Sequence, residues 1–75
     1  MNPDDALEAR LLAAHENADL RGLSRLYRQA AEMAERRGDR DRAAFFLTHA
    51  WVFALDAGMA EADVHARRLR AWGRS

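Results

Sequence analysis

Cysteine, lysine and isoleucine are absent from this 75-residue chain, and proline occurs once. Without cysteine there is no disulfide framework, thiolate metal site or thiol nucleophile, which excludes a small disulfide-stapled secreted scaffold. A reducing, cytoplasmic setting is the expectation. Thr48, Val52 and Val64 are the only β-branched residues, so strands are not expected anywhere. Missing as well is any excess of charge: twelve basic residues balance twelve acidic ones. Bulk electrostatics therefore make no case for nucleic acid or an anionic membrane. The acidic opening MNPDDALEARLL lacks a basic region and a clean apolar stretch, and the most apolar run, Arg42 to Ala57, is too short to span a bilayer. The reading is a soluble, unprocessed protein with room for one domain over residues 1–75.

What is present is alanine, arginine and helical periodicity. The run RAAFFLTHAWVFALDA (Arg42 to Ala57) is apolar nearly all round. At 100° per residue, Ala43, Phe46, Leu47, Ala50, Phe53, Ala54 and Ala57 share one broad face, and Ala44, Trp51 and Leu55 extend one flank. Phe45 and Val52 fall outside that face, among Asp41, Thr48, His49 and Asp56. A helix of this kind is central in its domain, half covered by another chain, or both. Leaving Phe45, Val52 and Trp51 on a monomer's surface would expose a contiguous apolar patch, which soluble monomers avoid. These three residues are therefore the expected self-association site of a homodimer.

The remaining helices follow from caps and spacing. Asn2-Pro3-Asp4-Asp5 is a helix start, with Asn2 as cap and Pro3 in the first position. Leu7, Leu11, Ala14 and Ala18, with Leu12 beside them, make an Ala-rich face for a first helix over 3–16. Asn17-Ala18-Asp19 breaks the pattern and supplies a cap for a second helix over 20–37. There Leu20, Leu23, Tyr27, Ala30 and Ala34 form a stripe with Leu26 and Met33 alongside, and Glu32 is spaced to pair with Arg28 and Arg36. Gly38 ends this helix and Asp39 caps the next, over 40–57; Ala57-Gly58 closes that one. A fourth helix over 59–72 places Met59, Ala62, Ala66 and Leu69 inward, spaces Asp63 to pair with Arg67, and leaves Gly73-Arg74-Ser75 to fray. The fold class is all-α: four short antiparallel helices, with the second and third forming a tight hairpin core.

From about Ser24 to Ala57 this hairpin resembles one tetratricopeptide repeat. Tyr27 stands at the first large aromatic, Ala30 and Ala31 at the close-packing pair, Gly38-Asp39 at the turn, and Ala43, Leu47 and Ala50 at the small-large-small series of the second helix. Ala34, Arg40 and Leu55 depart from the pattern. The resemblance implies a protein–protein interaction module whose flanking helices are half-repeats or caps. In that family the first helix of each repeat lines a groove, and the matching positions are Arg25, Arg28, Gln29, Glu32, Glu35 and Arg36. Arg25 and Arg28, one turn apart, suit a carboxylate of an acidic peptide or protein partner. Asp4, Asp5 and Glu8 of the first helix are the internal competitors for the same groove.

Other motifs point to chemistry less well. His15-Glu16-Asn17-Ala18-Asp19 has Asp19 where a metalloprotease helix carries its second histidine, and the helix ends at Asn17, so no metal site is expected. His49 and His65 lack an oriented partner and a nucleophile, and are read as surface or boundary residues. Arg37-Gly38-Asp39, a tripeptide of adhesion ligands, is explained by a Gly cap followed by an Asp cap. Arg36, Arg37, Arg40 and Arg42 crowd one turn, and Arg67, Arg68, Arg70 and Arg74 surround Trp72. These two clusters carry the alternative function, a nucleic-acid-binding accessory protein. No glycine-rich phosphate loop or convergent carboxylate pair appears. The reading is a binding or scaffold module with no catalytic residues, cofactor or metal, rather than an enzyme.

Overall fold

The computed structural model describes residues 3–73. They form four helices and no strand: α1 (Pro3–Glu16), α2 (Leu20–Arg36), α3 (Arg40–Asp56) and α4 (Glu61–Ala71). The proposed Asn2 cap lies outside the described residues. Consecutive helices pack in chain order, α1 on α2, α2 on α3 and α3 on α4. The result is a slab whose Cα extents are 32 × 30 × 13 Å.

The three connections share one geometry. The N–H groups of Asp19, Asp39 and Met59 donate to the carbonyls of Ala14, Ala34 and Ala54 at 2.9, 2.9 and 2.8 Å. One residue earlier, Ala18, Gly38 and Gly58 adopt φ of 52°, 78° and 67° and donate to His15, Glu35 and Leu55. This is the Schellman closure, in which a left-handed residue satisfies the last helical carbonyls. Asp19 and Asp39 then turn round and cap the next helix, accepting from the N–H groups of Gly22 (3.0 Å) and Arg42 (3.1 Å). The chain is thus built of helix-and-turn units whose equivalent residues recur every 20 positions, as Ala14, Ala34 and Ala54 show.

The fourth helix departs from expectation at both ends. Residue 59 has no capping oxygen, and Ala60 makes no side-chain cap hydrogen bond. Met59 and Ala60 instead form a tight lead-in, with Ala62 N–H donating to Met59 and Asp63 N–H to Ala60, both at 3.2 Å. At the other end Gly73, expected to fray, takes φ 76° and donates to the Arg70 carbonyl at 2.9 Å.

The core sits between α2, α3 and α4. Ala31, Ala44, Leu47, Ala50 and Leu69 form one buried cluster, flanked by Tyr27, Phe46, Trp51 and Trp72. Ala54, Met59 and Ala62 form a second. So many alanines let the helix axes approach closely, and the approach is fixed by a polar contact: the buried Ser24 hydroxyl donates across to the Ala50 carbonyl at 2.8 Å. On α1, Ala14 is buried and Leu7 and Leu11 are half-buried, whereas Leu12 faces out.

Candidate functional site

The outer face of α3 is the most distinctive surface. Phe45, Val52 and Leu55 expose 58, 42 and 53 % of their area. With Thr48 they lie within about 80° on the helix. The two polar side chains interleaved with them are turned back on the helix itself. The Thr48 hydroxyl donates to the Ala44 carbonyl (2.8 Å), and His49 Nδ1 donates to the Phe45 carbonyl (2.9 Å). Covering this stripe would therefore strand neither the Thr48 hydroxyl proton nor the His49 Nδ1–H, which lowers the penalty for burying them.

Trp51, which the sequence reading puts both on the flank of the broad face and in the self-association set, is half-buried and packs on both core clusters. Leu55, expected on the same flank, is outside. The Gly58 turn folds Met59 back against Ala54 and Ala62, while helical phase sets Leu55 on the Phe45 and Val52 side.

Rings connect this face to α1. Tyr27 stacks on Phe53 (5.7 Å, 13°) and on His49 (5.0 Å, 30°), and lies 6.2 Å from Phe46. Phe45 touches His49 at 4.5 Å and Phe46 at 5.6 Å. From α1, His15 presents its edge to Tyr27 and Phe53, each at 6.0 Å, and its Nε2 shares a 3.1 Å hydrogen bond with the Tyr27 hydroxyl. The chemistry of His15 is therefore that of a docking residue for α1. Among the described residues no group of three His, Asp or Glu converges as a metal site.

His65 corrects the sequence reading, which placed it at a surface or boundary. It is buried on α4 between Ala62 and Leu69. It follows Ala62 by three residues and precedes Leu69 by four, which sets it on their stripe. Burial, with Arg28 and Arg68 nearby, holds its pKa below the ordinary 6.5, while Glu61 and Glu32 pull weakly the other way.

On α2, Arg25, Arg28, Gln29, Glu35 and Arg36 are exposed and Glu32 is half-buried. Among the described residues the expected Glu32 pairs with Arg28 and Arg36 are not closed at contact distance, nor is Asp63 with Arg67. Of the internal competitors, Glu8 lies elsewhere, in a cleft of about 140 Å³ that Leu7, Leu11, Met33 and Phe46 line beside Arg42. Asp5 is exposed, and the Asp4 side chain lies outside the described residues.

The two arginine clusters meet through one contact. The Arg40 guanidinium sits 5.4 Å over the Trp72 ring, which itself packs against the core cluster. Trp72 is thereby engaged on one side by the protein's own groups. Asp39, besides capping α3, pairs with Arg42 at 3.5 Å, and Gly38-Asp39 are the two caps that the sequence implied.

Compared with family models, curated proteins and solved structures, the chain matches none.

Proposed function

We propose that this chain is a small helical interaction module, cytoplasmic and non-catalytic, which self-associates as a homodimer through the outer face of α3. The observation that carries the reading is the exposed Phe45, Val52, Leu55 stripe, beside which Thr48 and His49 donate back to carbonyls of their own helix. Soluble monomers seldom leave such a stripe bare. The outer face of α2 supplies a second docking surface, where Arg25 and Arg28 receive the carboxylates of an acidic peptide or protein partner.

Tetratricopeptide-like packing belongs to the same proposal. It is supported by the tight α2–α3 hairpin and by small residues at Ala30, Ala31, Ala43 and Ala50, with Leu47 between them. The likeness is one of packing rather than of repeat length. One helix and its turn take 20 residues here, longer than half of the roughly 34-residue unit of that family.

The test is mass in solution. Light scattering at tens of micromolar is expected to read twice the 8.5 kDa chain mass, and Phe45→Glu to read the single chain with its helicity intact. A single-chain mass for the unaltered protein overturns the proposal.

A further inference from the structure

Asp41, Phe45, Thr48, Val52 and Leu55 recur along α3 at intervals of 4, 3, 4 and 3. That alternation is the seam of a two-helix coiled contact, in which each knob enters a hole on the facing helix. Resting on the self-association proposed above, we infer that the second copy docks antiparallel, α3 on α3 about a two-fold axis. Phe45 then meets Leu55 of the partner subunit, and Thr48 meets Val52 of the partner subunit. The largest residue of the stripe, Phe45, thus faces a γ-branched leucine, and Val52 faces the β-branched Thr48, whose hydroxyl is bonded within its own helix. The interface is isologous, as closed dimers require.

Charge decides the direction. Parallel docking places the seam residue Asp41 on Asp41 of the partner subunit, keeps Arg42 and Asp56 on flanks that do not meet each other, and aligns the two helix dipoles. Antiparallel docking sets Arg42 beside Asp56 of the partner subunit, and symmetry makes this pair twice. Flanking charges of this kind choose orientation in coiled contacts. Asp56 also gains in another way. It occupies the last turn of α3, where no basic residue stands, so it opposes the dipole of its own helix. In the antiparallel dimer it lies instead beside the positive, N-terminal end of the partner's helix. The hydroxyl of Thr48 and the Nδ1–H of His49, nearest the axis, already have acceptors, while Asp41 lies at the wet end of the seam.

A chain without cysteine allows a direct test. Arg42→Cys and Asp56→Cys each introduce one thiol outside the apolar stripe, and the α3 cap survives because Asp39 accepts from the backbone N–H of residue 42. In the proposed register two copies of residue 42 lie about 24 Å apart along the axis and two copies of residue 56 about 18 Å apart, at 1.5 Å per residue. Neither variant alone should be linked by a short bis-maleimide. A mixture of the two should give a linked heterodimer in high yield. Linkage of either single variant with itself overturns the antiparallel register, as does failure of the mixture to link while light scattering still reads a dimer. A single-chain mass for the unaltered protein overturns self-association itself. Charge reversal adds a second readout: Arg42→Glu should weaken the dimer about tenfold, two exposed pairs being lost, and adding Asp56→Arg to the same chain should restore it. No restoration also overturns the register.

Discussion

Single residues carry more of this fold than its alanine-rich composition suggests. Ser24 is fully buried and holds α2 to α3 through the Ala50 carbonyl. Ser24→Ala is expected to cost about 1 kcal/mol, the net value of such a bond, read as a lower midpoint in urea. Gly22 stands in the first turn of α2, where a β-carbon would meet the Asp19 carboxylate that caps the helix; at the equivalent turn Asp39 caps the N–H of Arg42, which carries a β-carbon. His65 sets the pH response. Its neutral ring is favoured by burial and by Arg28 and Arg68 against Glu61 and Glu32. Its contribution is complete above the ordinary pKa of 6.5 and is lost as pH falls below it toward the lowered folded value. Thermal melts between pH 7.5 and 5 should show a decline that His65→Gln largely flattens.

At the scale of the helix and its turn, the lesson concerns what a sequence displays. The ends of α1, α2 and α3 were legible within a residue because each boundary carries a residue whose chemistry demands it: Pro3, Asp19, Gly38, Asp39 and Gly58. The start of α4 was not, because Met59 and Ala60 offer no capping group and the boundary is set by burial of Met59. The 20-residue recurrence was hidden for a related reason. Its first turn uses Ala18 at φ 52°, where the other two use glycine, and its last unit replaces the Asp cap with Met59. A left-handed alanine costs about 1–2 kcal/mol, partly offset by the greater unfolded-state freedom of glycine. Ala18→Gly should thus stabilise the protein by about 0.5–1 kcal/mol. Gly38→Ala should destabilise it by a similar amount. Denaturant midpoints that move the same way in both variants would contradict the shared turn geometry.

Over the whole molecule, the outward position of Phe45 and Val52 was readable from amphipathic phase alone, whereas Trp51 and Leu55 share a flank whose covering depends on which helices pack there. The ring path from His15 to Phe45 could not be read at all, since it joins three helices across the chain. The proposed partner face is tested at this scale. Arg25→Ala with Arg28→Ala is expected to weaken an acidic peptide's binding at least tenfold, as charge-assisted bonds to two guanidiniums are lost, with the melting curve unchanged; equal anisotropy titrations for the two proteins would remove the face from consideration. The Arg40–Trp72 stack also makes the molecule its own optical instrument. The chain's two indoles are Trp51, set against both core clusters, and Trp72, closed under a guanidinium where α4 meets the start of α3. Emission from Trp72 should shift red when the end of α4 lifts away, and emission from Trp51 when the central packing fails. A Trp72→Phe chain therefore separates peripheral loosening from global unfolding in a single fluorescence melt.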